Sequence, residues 1–137
     1  MAGYSGKPLW QKLGFRENMK VVALGSPPAY QEMLGDAPSL RIVRSASKAA
    51  QPYEAVHLFC TRQAELEKHL VNLRSKIAQD GMVWVSWPKK SSGVASDLSD
   101  NSVRAAALPL GFVDNKVCAV DDTWSGLKLV IRVSERN

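Results

Sequence analysis

The sequence predicts an α/β fold with three layers, in which a mostly parallel sheet ends in an antiparallel C-terminal hairpin. Short apolar runs alternate with segments of helical periodicity, which is typical of parallel strands joined by helices. The last two apolar runs are instead separated by a short polar segment, which is typical of a hairpin. The chain has 137 residues, of which 45% are hydrophobic, so residues 1–137 are predicted to form one domain.

Three apolar runs in the first half of the chain are predicted strands. They cover Met19–Leu24, Leu40–Val43 and Glu54–Cys60. Between the first two, Pro28 is expected in the first turn of a short helix, Ala29–Leu34. Before the first strand, Leu9, Trp10 and Leu13 lie on one face of a short helix. Residues 1–18 are therefore predicted to be an arm that packs on the domain, although a dimer contact would have the same pattern.

The longest predicted helix follows the third strand. Thr61 is expected to be its N-cap, and Gly81 is expected at its C-terminal end. Between them, aliphatic residues recur at spacings of 4, 3 and 4, which is typical of one buried helix face. These residues are Leu66, Leu70, Leu73 and Ile77.

The remaining elements are a strand, a helix and a hairpin. The strand is Met82–Trp87, where Trp84 and Trp87 are expected to face opposite sides of the sheet. The helix begins at Ser99 and ends early because of Pro109. The hairpin strands are Val113–Val120 and Leu127–Val133, with Asp121–Gly126 as the loop. This order resembles the second half of a Rossmann-type methyltransferase domain, so the predicted fold is Rossmann-like.

Three segments carry a more specific resemblance. They are AGYSGKPLWQKLGF (2–15), WVSWPKKSSGV (84–94) and GFVDNKVCAVDDTWSGLKLVIR (111–132). Together they resemble an uncharacterised bacterial family, domain of unknown function 3052. The resemblance implies a small Rossmann-like cytoplasmic domain without an established activity. It therefore implies no catalytic residue.

Composition argues against several classes of function. The net charge is +5, but the only adjacent basic pair is Lys89-Lys90, which does not favour nucleic-acid binding. No apolar stretch is long enough for a membrane span, so a cytoplasmic protein without a membrane partner is expected. Cys60 and Cys118 lie in apolar runs and are expected to be buried thiols.

No cofactor or metal is expected. The loop after the first strand is Gly25-Ser26-Pro27-Pro28, whose two prolines lack the N–H groups of a dinucleotide-binding turn. The next strand ends near Arg44 and not at an acidic residue, which also argues against NAD and S-adenosylmethionine. His57 is expected in the core, and His69 on a polar helix face without a metal-ligating partner.

Candidate ligand-binding residues lie where the predicted strands end, an edge that we call the carboxyl edge. The loops after four strands are expected to meet there. The best candidate is Lys89-Lys90-Ser91-Ser92-Gly93, which offers ammonium groups, hydroxyls and a flexible backbone for a phosphate or carboxylate. Arg62 could add a third cation. A solvated loop with a serine-stabilised turn is the alternative interpretation.

A second loop could face the first one. It contributes Asp121, Trp124 and Ser125, and its acidic residues could simply pair with the lysines. The adjacent residues Asp121 and Asp122 would point in different directions on an extended chain, which is unfavourable for shared acid–base catalysis.

Three functions remain open from the sequence. The leading hypothesis is a non-catalytic module that binds a small anionic ligand or an acidic protein surface at the carboxyl edge. One alternative is a degenerate or atypical methyltransferase-like enzyme that uses the same edge, with Asp121, Trp124 and Ser125 around its substrate. The other is a structural or assembly protein that acts as a homodimer.

Overall fold

A computed structural model describes residues 7–36, 39–45 and 49–137. Its strands are β1 (Lys20–Leu24), β2 (Arg41–Val43), β3 (Tyr53–Phe59), β4 (Ile77–Pro88), β5 (Phe112–Ala119) and β6 (Trp124–Ile131). Its α-helices are α1 (Leu9–Lys12), α2 (Tyr30–Leu34), α3 (Gln63–Arg74) and α4 (Asp100–Ala107). Short 3-10 turns cover Lys90–Ser92, Leu108–Leu110 and Val133–Glu135. None of the described helices is long and apolar enough to span a membrane.

The described strands form one sheet in the order β2-β1-β3-β4-β6-β5. The pairs β1–β2, β1–β3 and β3–β4 are parallel. The pairs β4–β6 and β5–β6 are antiparallel. The predicted Rossmann-like α/β fold, with a mostly parallel sheet and an antiparallel C-terminal hairpin, is therefore confirmed.

Two apolar clusters cover the two faces of the sheet. One joins the sheet to the buried side chains of α3 and α4, and the other joins it to those of α1 and α2. Trp87 belongs to the first cluster and Trp84 to the second, as their odd spacing on β4 predicts. Cys60 and Cys118 are both free and buried, as predicted. The arrangement has the three predicted layers.

The N-terminal helix packs against the second face. Leu9 and Leu13 are buried, and the indole Nε1 of Trp84 donates a hydrogen bond of 2.8 Å to the carbonyl oxygen of Leu13. The described part of the predicted arm thus lies against the centre of the sheet, while residues 1–6 lie outside the described residues.

The long helix is shorter than its sequence pattern predicts. It ends at Arg74, Ile77 begins β4, and Gly81 lies within that strand, so its predicted role as a helix end is wrong. A Cβ at Gly81 would lie 3.0 Å from the carbonyl oxygens of Tyr53 and Glu54, where the register between β3 and β4 shifts. Glycine is needed there for the close approach of two strands. The helical spacing extends to Ile77 because that residue packs in the same apolar cluster as Leu73.

Two other predicted boundaries change. Arg62, and not Thr61, is the N-cap of α3, and its side chain makes no capping hydrogen bond. The hairpin loop is shorter than predicted because β6 already begins at Trp124. The second helix agrees better: Ser99 is its N-cap within a capping box, and the α-helix ends at Ala107, before Pro109.

Candidate functional site

The loops after β1, β3, β4 and β5 lie on the carboxyl edge. β5 runs in the same direction as β4, because both are antiparallel to β6. The amide N–H of Lys89 donates to the carbonyl oxygen of Thr123 at 2.8 Å, which joins the loop after β4 to the hairpin loop. The amide N–H of Cys60 donates to the carbonyl oxygen of Ser86 at 3.0 Å. The sheet topology therefore places the predicted loops side by side.

The order of the strands reverses between β1 and β3, and ligands of open α/β sheets bind in the crevice at such a point. Gly25 follows β1 with φ of +65°, and a Cβ there would lie 2.6 Å from the carbonyl oxygen of Phe59. The guanidinium Nη1 of Arg44 donates to Ser26 Oγ at 3.0 Å and to the Pro27 carbonyl oxygen at 3.2 Å. The cation Arg44 thus holds the loop at the crevice, although it is not among the residues that the sequence predicts for the site.

The loop after β4 is a defined turn. Ser92 Oγ donates to the carbonyl oxygen of Lys89 at 2.6 Å and accepts from the amide of Val94 at 3.2 Å. Gly93 has φ of +77°, the left-handed conformation that ends the turn. Ser92 and Gly93 therefore shape the loop, as the alternative interpretation predicts. Lys89 is half-buried, whereas Lys90 and Ser91 are exposed.

In the hairpin loop, the carboxylate of Asp121 accepts hydrogen bonds from amides of the same loop. Asp121 Oδ1 accepts hydrogen bonds of 2.8 Å from the amides of both Thr123 and Trp124. Trp124 packs edge-on against Phe59, with ring centroids 5.0 Å apart. Ser125 lies in β6 opposite Trp87. These roles are structural, and the described residues contain no ion pair between this loop and Lys89 or Lys90.

Arg62 is exposed at the start of α3, but a carboxylate already occupies that helix end. Asp97 Oδ1 accepts from the amide of Gln63 at 2.7 Å. The Asp97 amide and Ser96 Oγ donate to the Thr61 carbonyl oxygen at 3.2 and 2.9 Å. The loop before α4 therefore supplies the cap that no residue at the helix start provides.

Replacing Asp97 by alanine is expected to lower the free energy of unfolding by about 1 kcal/mol, because a helix amide loses its acceptor. Urea denaturation followed by circular dichroism measures this loss. The control is Asp122→Ala, which removes an exposed carboxylate and should change stability by less than about 0.5 kcal/mol. Equal losses in both variants would show that Asp97 does not cap the helix.

Three buried polar side chains are linked by hydrogen bonds into a chain on the face of the sheet that α1 and α2 cover, from α2 over β3 to β4. The hydroxyl of Tyr30 lies 2.8 Å from His57 Nδ1, and Ser86 Oγ lies 2.8 Å from His57 Nε2. Burial lowers the pKa of His57 to about 3 and raises the pKa of Tyr30 far above its usual value. The imidazole is therefore neutral, with one nitrogen that donates and one that accepts.

His57 and Ser86 are the residue types of a catalytic serine–histidine pair, but both side chains are completely buried. A nucleophile must reach its substrate, so we assign the chain to the core, as predicted for His57. Tyr30 and Ser86 were not predicted as partners of His57. Their sequence separations from it are 27 and 29 residues, which local patterns do not detect.

A second group of polar side chains lies where β3 meets α3. The thiol of Cys60, the carboxylate of Glu65 and the imidazole of His69 have ligand atoms within 4.8 Å of one another. Burial, with a smaller effect of the nearby Glu65 charge, raises the pKa of the Cys60 thiol to about 12. The expectation that His69 has no potential ligand beside it is therefore wrong. The spacing of Glu65 and His69, which places both on one helix face, was the available signal.

Comparison with known proteins gives a family and a set of structural neighbours. The family model "Protein of unknown function (DUF3052)" matches residues 49–133, more than half of the 137 residues. The segment 2–15 that contributes to the predicted resemblance lies outside this match. No curated protein matches the chain.

The structural neighbours include methyltransferases. A SAM-dependent methyltransferase from Aquifex aeolicus has a TM-score of 0.63 and 13% identity, over 90% of this chain and 88% of that one. A ribosomal protein L11 methylase from Lactobacillus delbrueckii subsp. bulgaricus has a TM-score of 0.59 and 10% identity, over 88% of this chain and 74% of that one. A magnesium protoporphyrin IX methyltransferase from Synechocystis PCC 6803 with bound SAM has a TM-score of 0.56 and 11% identity, over 90% of this chain and 74% of that one. At these identities the likeness establishes the fold alone.

Proposed function

The chain belongs to the DUF3052 family of proteins of unknown function, and we propose that it is a non-catalytic module that binds a small anionic ligand at its carboxyl edge. The ligand class is a phosphate-bearing or carboxylate-bearing small molecule. Lys89 and Lys90 are the main ligand residues, with Arg44 and Arg62 at the same edge of the sheet, after β2 and β3.

The observation that carries this proposal is that the described cations of the carboxyl edge are not held in ion pairs. Within the described residues, Lys89, Lys90 and Arg62 form no ion pair. The neighbouring acids Asp97 and Asp121 instead accept hydrogen bonds from backbone amides. The cations therefore have no internal partner, and their charge is directed to solvent or to a ligand.

Arg44 adds a geometric argument for an oxyanion. Its recorded hydrogen bonds, to Ser26 and to Pro27, both start at Nη1. Within the part of the chain that the structure describes, Nη2 and Nε make no hydrogen bond, and these two groups can donate in parallel to two oxygens of one phosphate or carboxylate. These two contacts also hold the guanidinium beside the crevice, which lowers the entropic cost of binding.

A methyltransferase-like enzyme is the second candidate function. The structural neighbours include a methyltransferase with bound SAM, and in this chain β1 is followed directly by Gly25, whose φ is positive. Two features count against it. Pro27 and Pro28 lack backbone donors, and the strand after the turn leads to Arg44 rather than to an acidic residue that could bind a ribose.

The test is isothermal titration calorimetry with pyrophosphate, ATP, SAM and S-adenosylhomocysteine. We expect pyrophosphate to bind and the variant Lys89→Ala/Lys90→Ala to lose at least about tenfold in affinity, since each charge-assisted contact contributes about 1.5–3 kcal/mol. The matched control is Lys20→Ala/Arg41→Ala, which removes the same charge from the opposite ends of β1 and β2. Both variants should retain the wild-type unfolding free energy within about 0.5 kcal/mol for each substitution.

Two results would overturn the proposal. Equal loss of affinity in both variants would indicate general attraction by net charge, and no binding of any anion would remove the ligand class. Binding of SAM that is insensitive to the loss of Lys89 and Lys90 would instead favour the methyltransferase-like function.

A further inference from the structure

We propose that Cys60, Glu65 and His69 form a binding site for Zn²⁺ with three protein ligands. The site lies at the start of α3. Cys60 directly follows β3, and Glu65 and His69 lie in the first two turns of the helix. It is independent of the anion-binding proposal, because it uses none of the same side chains.

The positions of the ligand atoms suit a tetrahedral metal. In a zinc site with bonds of about 2.3 Å to sulfur and about 2.0 Å to nitrogen or oxygen, neighbouring ligand atoms lie roughly 3.3–3.6 Å apart. The three atoms here already lie within 4.8 Å of one another. Small side-chain rotations are therefore sufficient to close the site, without movement of the backbone.

The backbone around these residues holds them in place. Cys60 is buried, and its amide donates to the carbonyl oxygen of Ser86 on the neighbouring strand. Glu65 and His69 are four residues apart on α3, so they project from the same helix face. The helix itself is fixed by Leu66 and Leu70, which are completely buried in the core.

The donor set selects the metal. One thiolate, one imidazole and one carboxylate favour Zn²⁺ over Mg²⁺ and Ca²⁺, which prefer oxygen ligands alone. The charges of thiolate and carboxylate neutralise a divalent ion, which lowers the cost of placing the ion beside the buried Cys60. Glu65 is exposed and His69 is half-buried, so an ion can enter from solvent.

Three protein ligands leave one coordination position for water or for an oxygen of a bound molecule. Such an open position is typical of zinc sites that act on or hold a ligand, whereas structural zinc sites are closed by four protein ligands. The group in that fourth position would be exchangeable, and binding of Zn²⁺ should raise the thermal stability of the chain.

Cobalt substitution tests the site directly. The reduced, metal-free protein is titrated with Co²⁺, whose thiolate bond produces a charge-transfer band in the near ultraviolet. We expect one Co²⁺ per chain with this band, and its displacement by Zn²⁺. Cys60→Ser should abolish the band, and Glu65→Gln and His69→Gln should each weaken binding by at least about tenfold, since even outer-shell changes cost 10–100-fold.

The controls are Cys118→Ser, which removes the other buried thiol, and Glu67→Gln, which alters an exposed carboxylate of the same helix. Both should bind Co²⁺ like the wild type. Because Glu65 and His69 are not core residues, their variants keep the test valid if Cys60→Ser does not fold. Absence of Co²⁺ binding, a band that depends on Cys118, or unchanged affinity in His69→Gln would each overturn the proposal.

Discussion

Replacing Trp84 by alanine is expected to lower the free energy of unfolding by about 3–5 kcal/mol, the largest loss that we predict for one side chain. Trp84 is completely buried at the centre of the sheet, and its ring packs against Gly126, where an added Cβ would lie 3.3 Å from Trp84 Cε3. The alanine would leave a large cavity. It would also leave the carbonyl oxygen of Leu13 without the indole donor, which weakens the attachment of the N-terminal helix.

Urea denaturation followed by far-ultraviolet circular dichroism measures this loss. The variant Trp84→Phe keeps an aromatic ring but removes the hydrogen bond to Leu13, so it should lose less than Trp84→Ala. Trp124→Ala is the matched control, since Trp124 is only half-buried. Equal losses for Trp84→Ala and Trp124→Ala would contradict the assigned position of Trp84 at the centre of the core.

Acidification is expected to destabilise the protein through His57 by about 1.4 kcal/mol for each pH unit between about pH 6.5 and pH 3. Burial lowers the pKa of the folded imidazole from 6.5 to about 3. The unfolded chain therefore binds one proton more than the folded chain in this interval, so stability falls as the pH falls. The full contribution is present above about pH 6.5, where both states are neutral at this residue.

The measurement is a series of urea midpoints between pH 8 and pH 4.5. Carboxylates that are paired in the folded state, such as Asp114 beside Arg104, act in the same direction at the acidic end. The variant Tyr30→Phe/His57→Leu/Ser86→Ala replaces the whole buried chain by apolar groups, and its slope should be smaller by about one proton. The control is His69→Gln, which removes the other histidine, and a flattened slope in that variant would contradict the assignment of the effect to His57.

The elements that carry the fold class were predictable because their signals are local. The apolar runs at β1, β3 and β4 and the leucine spacing of α3 reflect burial of one chain segment at a time. The short polar stretch after β5 indicated the antiparallel hairpin for the same reason. The predicted end of α3 was wrong because Ile77 keeps the helical spacing although its backbone pairs with Tyr53 on β3. A local pattern does not detect such a pairing with a distant strand.

The candidate sites were predictable only in part. The sequence identified Lys89 and Lys90 from composition and position, and both indeed follow β4 at the carboxyl edge. It predicted Ser92 and Asp121 as ligand-binding residues, and the structure adds that each uses a side-chain oxygen to hold a turn. The residue type of a serine or aspartate fixes which hydrogen bonds its side chain can make, but the local backbone conformation decides which groups use them.

By itself, the sequence determined the strands and helices apart from the boundary between α3 and β4, that the sheet is mostly parallel, and that it ends in a hairpin. Only the tertiary structure decided which side chains meet. Arg44 reaches Ser26, Asp97 caps α3, His57 joins Tyr30 to Ser86, and Cys60 approaches His69. Periodicity records whether each residue is buried, which is a local property. The order and register of the strands determine which residues that are distant in sequence come into contact, and no local pattern encodes that order.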